Sequence, residues 1–131
     1  MSKPVILCVD DERMVLNSLR TQLSAEFGDT YIYEVAEDAE EAVELINELN
    51  DDDVSVIVII SDWLMPGMKG DELLIRIHEQ FPNMIKIMLT GQADKLAIDR
   101  AKQQANIHKC LSKPWSEVDL LETIKSGLLK V

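Results

Sequence analysis

The sequence predicts an α/β domain in which five βα units, (βα)5, build a doubly wound, five-stranded parallel sheet. Apolar runs alternate five times with segments whose apolar residues recur at helical spacing. The first and third runs are apolar in the manner of strands that helices cover on both faces. The chain has 131 residues, 47% of them hydrophobic, which suffices for one full core. We therefore expect a single domain over residues 1–131, either free-standing or excised from a longer protein.

Each unit starts with an apolar strand, and the helix after it carries apolar residues three or four positions apart. The strands are predicted at Val5 to Val9, Tyr31 to Ala36, Val54 to Ser61, Ile85 to Leu89 and Ile107 to Leu111. The first helix is predicted from its apolar positions, Met14, Val15, Leu19 and Leu23. The other four helices are predicted at Glu40 to Leu49, Asp71 to Gln80, Asp94 to Ala105 and Val118 to Leu129.

Acidic residues stand at the carboxyl ends of two strands that the expected strand order brings side by side. The order 2-1-3-4-5 leaves a ligand crevice where strands 1 and 3 diverge. Asp62 ends strand 3 in the stretch SDWLMPGMKG, and Asp10, Asp11 and Glu12 end strand 1. We expect these four acids to converge. The Pro-Gly pair after Asp62 is expected to turn the chain sharply out of the sheet.

A group of converging carboxylates predicts a cation site. Like charges raise one another's pKa, and a bound cation relieves the repulsion. Magnesium suits such a site because it takes one or two carboxylates and fills its other positions with water and phosphate oxygens. Capping of the first helix is an alternative role for Asp11 and Glu12. Asp10 and Asp62 fit that alternative less well, since each ends a strand.

The ends of strands 4 and 5 add a hydroxyl and a lysine to the same edge. Strand 4 ends at Thr90 in MLTG, and strand 5 is followed by Lys113 in LSKP. Taken singly, a threonine such as Thr90 is more often a capping hydroxyl, and a lysine such as Lys113 is more often a solvated charge. Together with Asp62 and a metal ion they supply the groups that phosphoryl transfer needs, namely a carboxylate nucleophile, charge neutralisation, and contacts to the phosphoryl oxygens.

The motifs ILCVDDE, SDWLMPGMKG, MLTG and LSKP, in this order over the whole chain, resemble the receiver domain of two-component response regulators. That family has a flavodoxin-like fold. The resemblance implies that Asp62 accepts a phosphoryl group from a phosphohistidine on a sensor histidine kinase or a phosphotransfer protein. The domain would then be a switch that catalyses only its own phosphorylation and dephosphorylation.

The same resemblance assigns the other residues of the site. Asp11 would bind Mg2+ directly, Asp10 through water, and the backbone carbonyl of Leu64 would complete the protein ligands. Glu12 would lie near the site without being a ligand. Thr90 would be the switch hydroxyl and Lys113 the contact to the phosphoryl group. The Lys113-Pro114 peptide bond is expected to be cis.

One position departs from the family pattern. Receivers usually carry tyrosine or phenylalanine three residues before the lysine, and here that position is Cys110. We therefore expect the signal to reach the output face, formed by helix 4, strand 5 and helix 5, by backbone movement or through another side chain such as His108. Simple tolerance of Cys110 as a core residue is the alternative. Leu64 and Gln92 stand where the family tunes hydrolysis, and the apolar Leu64 predicts a phosphoryl group that lasts.

Three other classes of function remain to be weighed against the receiver. A pseudo-receiver would keep the fold without phosphorylation, although every acceptor residue is present. An aspartyl-nucleophile phosphatase usually has a second acid two residues after the nucleophile, where this chain has Leu64, and a cap segment that this chain lacks. A flavodoxin-like electron carrier would need a Ser/Thr/Gly-rich phosphate loop after strand 1, and none is present there.

Composition restricts the partners and the compartment. The 24 acidic and 13 basic residues give a net charge of −11, which argues against direct binding of nucleic acid. No stretch of the sequence resembles a signal peptide or reaches the roughly 20 apolar residues of a membrane span, so we expect a cytoplasmic protein. A Cys8 to Cys110 disulfide conflicts with strands about 14 Å apart. Dimerisation through the helix 4 to helix 5 face is left undecided.

Overall fold

The structure is a computed structural model that describes residues 3–91 and 95–130. Its described part contains five strands and five helices in strict alternation. The elements are β1 (Val5–Val9), α1 (Arg13–Phe27), β2 (Ile32–Ala36), α2 (Ala39–Asp51), β3 (Val56–Asp62), α3 (Gly70–Gln80), β4 (Ile85–Thr90), α4 (Lys95–Gln104), β5 (Lys109–Ser112) and α5 (Glu117–Leu128). A single 3-10 turn, Gly28–Thr30, follows α1.

All four strand pairings are parallel, and the order of the sheet is β2-β1-β3-β4-β5. This confirms the predicted fold class. Residues of the central strands point alternately into two hydrophobic clusters. Leu7 and Ile59 pack with α2, α3 and α4, whereas Ile6 and Ile60 pack with α1 and α5. Burial on both faces explains why β1 and most of β3 are continuous apolar runs rather than alternating ones.

The predicted inner face of α1 was partly wrong. Met14 is 82% exposed, while Leu16, Leu19 and Leu23 are buried. These three residues follow the three-to-four spacing of one helix face, and Met14 lies two residues before Leu16, on nearly the opposite side of the helix. Val15 is partly buried and packs against the same cluster.

Element boundaries differ from the predictions by one to two residues at most ends. Asp62 is the last residue of β3, which places it inside the strand rather than after it. The α5 helix begins at Glu117 because the side chain of Ser116 accepts a hydrogen bond from the Asp119 backbone N–H and caps it. Asp94, the predicted start of helix 4, and Gln92 lie outside the described residues.

Three further predictions concern one peptide bond, the two cysteines and membrane-spanning helices. The Lys113-Pro114 peptide bond is cis. Cys8 and Cys110 are both free thiols, so the exclusion of a disulfide is confirmed. Among the helices that the structure describes, none has the length and apolar character that crossing a membrane requires.

A buried lysine in β4 is a feature that the sequence patterns did not single out. Lys86 is 2% exposed. Its ammonium group donates hydrogen bonds to the carbonyl oxygens of Met84, at 2.7 Å, and Pro82, at 3.5 Å. Burial lowers the pKa of Lys86 to about 8. The two carbonyl contacts place the Lys86 side chain at the amino end of the sheet, opposite to the carboxyl ends of the strands.

Candidate functional site

Three of the four predicted acids meet at the carboxyl edge of the sheet. One carboxylate oxygen from each of Asp10, Asp11 and Asp62 lies within 4.8 Å of the others. Asp10 is fully buried and Asp62 is 5% exposed, whereas Asp11 faces solvent. The site is therefore a cleft with two buried carboxylates at its base and one at its mouth.

The fourth acid, Glu12, does not join this group, so the expected convergence of four acids was wrong. Glu12 precedes α1 as its N-cap residue, and its exposed side chain makes no capping hydrogen bond. Its backbone N–H instead donates to Oδ1 of Asp10 at 2.9 Å. The exposed Glu12 side chain is not among the carboxylates that meet in the cleft, and the backbone N–H of Glu12 helps to orient the Asp10 carboxylate.

Lys113 reaches into the cleft from the loop after β5. Its Nζ lies 2.7 Å from Oδ2 of Asp10 and 3.2 Å from Oδ1 of Asp62. One ammonium group thus bridges the two buried carboxylates. Three carboxylates and one ammonium leave a net negative site, which favours a further cation.

The ionisation of the two bridged partners reflects this environment. Burial raises the pKa of Asp62, and the neighbouring charge of Asp10 raises it further. Lys113 opposes both effects, and Asp11 adds a smaller increase. Burial lowers the pKa of Lys113, but its hydrogen bond and charge interaction with Asp10, together with Asp62, outweigh that effect and leave the pKa raised. The surroundings therefore favour the charged form of Lys113 and disfavour the charged form of Asp62.

The donor set fits magnesium. All three candidate ligand atoms are carboxylate oxygens, which hard divalent cations prefer. Exposure of Asp11 leaves room for the water ligands that Mg2+ retains. Leu64, whose carbonyl is the fourth expected ligand, lies in the loop after β3 with its side chain 54% exposed.

Backbone hydrogen bonds hold the ends of three strands together around Asp62. The Trp63 N–H donates to the Leu89 carbonyl at 2.8 Å, and the Lys113 N–H donates to the Thr90 carbonyl at 2.9 Å. Thr90 is the last residue of β4 and pairs with Ser112 of β5. The structure thus brings Thr90, Lys113 and Asp62 to one edge of the sheet, as predicted.

Gly70 lets the loop after β3 return to Asp62. A Cβ atom at this position would lie 2.1 Å from the carbonyl oxygen of Asp62, far inside van der Waals contact. The Gly70 N–H donates to the Trp63 carbonyl at 2.8 Å, which closes the loop. Gly67 within the loop has a φ of +79°, a conformation that favours glycine. The sequence predicted the turn at Pro66-Gly67, but not the close approach at Gly70.

Asp71 is the residue near the site that the sequence patterns missed. It is 2% exposed, accepts a hydrogen bond from Nε1 of Trp63 at 3.2 Å, and forms a short ion pair with Arg100 of α4. An acid in the first turn of a helix is common, so sequence alone gave no signal that this one is buried.

The two residues considered as carriers of the signal lie in different places. Cys110 is partly buried among the residues between the sheet and α4, where burial raises the pKa of its thiol despite the opposing charge of Lys102. His108 precedes β5, at the sheet edge opposite to Asp62. Its Nε2 lies 3.1 Å from the Thr123 carbonyl and 2.8 Å from the Ser126 hydroxyl. This position gives His108 no contact with the acidic cleft.

Comparison with known proteins identifies the family. The family model described as "Response regulator receiver domain" matches residues 6–125, and the chain belongs to this family. The fold is similar to the signal receiver domain of an HD domain-containing protein from Pseudomonas fluorescens Pf-5, with 34% identity and a TM-score of 0.87 over 98% of this chain and 97% of that chain. A CheY-like receiver domain from Methanospirillum hungatei JF-1 has 32% identity and a TM-score of 0.85 over 98% and 96% of the two chains.

Curated relatives include both short and long proteins. The chemotaxis protein CheY-3 of Vibrio cholerae is 31% identical over 91% of this chain and 87% of its own length. The hydrogenase transcriptional regulatory protein HoxA of Cupriavidus necator is 29% identical over 94% of this chain but only 24% of its own length. The chain thus spans about a quarter of the HoxA proteins that it matches. This chain is a signalling domain of two-component systems. The receiver domain family generally binds Mg2+.

Proposed function

We propose that this chain is a phosphoacceptor switch of a phosphorelay, with Asp62 as the acceptor. The observation that supports this most directly is the bridge of the Lys113 ammonium between Asp10 and Asp62. It supports the proposal because a buried carboxylate, an ammonium group and further carboxylate oxygens lie together in one cleft, as a nucleophile, a phosphoryl contact and metal ligands would. A structural salt bridge would need only one of the two carboxylates.

In the transfer, a carboxylate oxygen of Asp62 attacks phosphorus, and the bond from phosphorus to the donor nitrogen breaks. The imidazole of the phosphohistidine leaves with the electron pair of that bond. Mg2+, held by Asp11, Asp62, the Leu64 carbonyl and, through water, Asp10, would neutralise charge on the phosphoryl oxygens. Lys113 then exchanges its contact with Asp62 for one with a phosphoryl oxygen, and the Thr90 hydroxyl contacts another.

The proposed role is regulatory, without turnover of an external metabolite. A phosphoryl group that binds one conformation of the domain better than another shifts the population and changes which partner fits. We assign the donor to a sensor histidine kinase or a phosphotransfer protein, and the output to the α4-β5-α5 face, where a target, an output domain or a second copy of the chain would dock. Cytoplasmic localisation and the absence of direct nucleic-acid binding belong to this proposal.

Hydrolysis of the aspartyl phosphate should be slow. The side chain at position 64 is an exposed leucine, which cannot orient an attacking water molecule. We expect a phosphoryl group that persists for minutes or longer, measured as the decay of the phosphorylated mass after removal of the donor. Decay within seconds would contradict this expectation.

Intact-mass measurement tests the proposal. The protein is incubated with a small acyl-phosphate donor, with and without Mg2+, beside Asp62→Asn and a control, Asp29→Asn, which alters an acid in the exposed turn after α1. We expect one added phosphoryl group in the wild type and in Asp29→Asn, dependent on Mg2+ and absent in Asp62→Asn. Binding of Mg2+ without any added phosphoryl group would overturn the proposal in favour of a pseudo-receiver.

A further inference from the structure

The Asp71 carboxylate joins two parts of the domain through its two oxygen atoms. Oδ1 accepts the indole N–H of Trp63 at 3.2 Å, and Oδ2 pairs with the guanidinium of Arg100. Trp63 is the residue after the proposed acceptor, and Arg100 lies in the middle of α4. A buried carboxylate therefore stands between the acceptor segment and a helix of the proposed output face.

Trp63 is held on several sides, so its position follows that of the acceptor backbone. Its backbone N–H donates a hydrogen bond to the Leu89 carbonyl, and its backbone carbonyl accepts one from the Gly70 N–H, each at 2.8 Å. The Nζ of Lys69 lies 5.0 Å from the ring centroid, a cation-π contact. Because the side chain is 9% exposed and enclosed in this way, a displacement of the Asp62 backbone must change the hydrogen bond between the indole and Asp71.

The two partners of the ion pair between Asp71 and Arg100 differ in their exposure to solvent. The Asp71 side chain is 3% exposed and cannot be solvated in place, whereas that of Arg100 is 44% exposed. A buried carboxylate that loses its cation is strongly disfavoured, so Asp71 retains Arg100 as long as the geometry allows. The side of α4 that packs on the domain presents the small residues Ala97 and Ala101. Beside these small side chains, Arg100 adds a charged contact between α4 and α3.

We propose that Asp71 is a positioning residue that couples the acceptor site to α4, by holding Trp63 with one oxygen and Arg100 with the other. This inference rests on the proposed function of Asp62 and names how that site is connected to its output. Cys110 has no large ring to carry movement along β5. The Trp63-Asp71-Arg100 chain supplies a connection on the α3 side of the sheet instead.

The connection is tested with a reporter on α4. The backbone amide signal of Ala101, the residue after Arg100, is followed by 15N NMR while Asp62 is phosphorylated by an acyl phosphate with Mg2+. The variants are Asp71→Asn, Arg100→Ala and Arg100→Lys. The matched control is Arg13→Ala, which removes an exposed ion pair to Glu37 with a 2.7 Å contact and leaves α3 and α4 untouched. Intact mass gives the phosphorylated fraction in each sample.

We expect phosphorylation to shift the Ala101 signal in the wild type, in Arg13→Ala and, to at least half the extent, in Arg100→Lys, which keeps the charge. The shift should fall below half in Asp71→Asn and Arg100→Ala. Arg100 is half-exposed, so the Arg100 variants report even where Asp71→Asn fails to fold. A phosphorylated wild type with an unmoved Ala101 signal, or variants that keep the full shift, would overturn the role of Asp71. Absence of the phosphoryl mass in the wild type would instead overturn the proposed function, and this role with it.

Discussion

The charged Asp62 carboxylate destabilises the folded state, because it is buried beside charges of its own sign. Burial and Asp10 both raise its pKa, and Lys113 compensates only in part. A group whose folded-state pKa is raised destabilises the folded state above its ordinary pKa, and that loss is recovered as the pH falls through the raised value. The cost is therefore largest on the alkaline side of the raised pKa.

Replacing Asp62 by the neutral, isosteric asparagine should therefore stabilise the protein in the absence of Mg2+. We expect Asp62→Asn to raise Tm at pH 7 by a few degrees, since about 1 kcal/mol shifts Tm by roughly 4 °C for a domain of this size. Added Mg2+ should narrow the difference, because it stabilises the wild type more. Asp29→Asn serves as the control. A lower Tm for Asp62→Asn than for the wild type, both without Mg2+, would show that the Lys113 bridge outweighs the repulsion.

Lys86 makes the stability of the protein depend on pH over a different pH range. Its folded-state pKa is lowered from 10.5 to about 8 by burial. Between these values the unfolded chain holds a proton that the folded chain does not, so stability rises with pH across this window, and the full penalty applies below it. We expect the Tm of the wild type to rise relative to the Tm of Lys86→Met as the pH is raised from 8 to 10. The exposed Lys102→Met should track the wild type, and equal slopes in all three would disprove the effect.

At the scale of elements, the connection from β3 to α3 depends on one missing side chain. Alanine normally stabilises a helix relative to glycine by up to about 1 kcal/mol. At position 70 its Cβ would instead meet the backbone of Asp62. We expect Gly70→Ala to lower the free energy of unfolding by at least about 2 kcal/mol, measured by urea denaturation.

Gly91→Ala is the matched control for that measurement. Among the described residues, the atom nearest to a Cβ there would be Cβ of Lys113 at 3.9 Å, which is ordinary contact. It should change the free energy of unfolding by less than about 1 kcal/mol. Equal effects of the two substitutions would mean that the loop adapts, and that the close approach to Asp62 is not required.

The elements show where sequence reasoning succeeds and where it stops. Strands and helices were predictable because burial on two faces leaves a continuous apolar run and helix packing leaves a three-to-four spacing. The start of α5 at Glu117 was predicted one residue too late, because the hydrogen bond that caps a helix is a local contact that the spacing of apolar residues does not reveal. Glu12 was misplaced because the direction of a side chain at a strand-to-helix turn is not encoded in spacing. The Asp71 to Arg100 pair was out of reach, since it joins residues of two helices through their packing.

At the scale of the whole molecule, the negative charge is concentrated on one part of the chain. Ten of the 24 acidic residues lie between Glu34 and Asp53, a stretch without lysine or arginine. This stretch covers β2 and α2, at one end of the sheet order. Repulsion within it opposes compaction and is screened by salt over a Debye length of about 10 Å at 0.1 M.

We therefore expect Tm to rise by a few degrees between 10 mM and 200 mM NaCl. The double variant Glu44→Gln, Glu48→Gln removes two exposed charges of α2 and should reduce that rise. Differential scanning calorimetry of both proteins at the two salt concentrations provides the measurement. A Tm that falls with salt would mean that the exposed ion pairs, such as that between Arg13 and Glu37, outweigh the repulsion.

The Lys113 bridge has a consequence for how tightly the domain holds metal. An ammonium 2.7 Å from Asp10 and 3.2 Å from Asp62 acts as a resident counter-ion, and an incoming divalent cation competes with it for the same negative charge. Lys113→Met should bind Mg2+ at least about threefold more tightly in calorimetric titration, and weaker binding would refute the competition. We therefore expect Lys113 to lower the metal affinity of the cleft while it keeps an ammonium group within reach of Asp62, where the proposed phosphoryl group would bind.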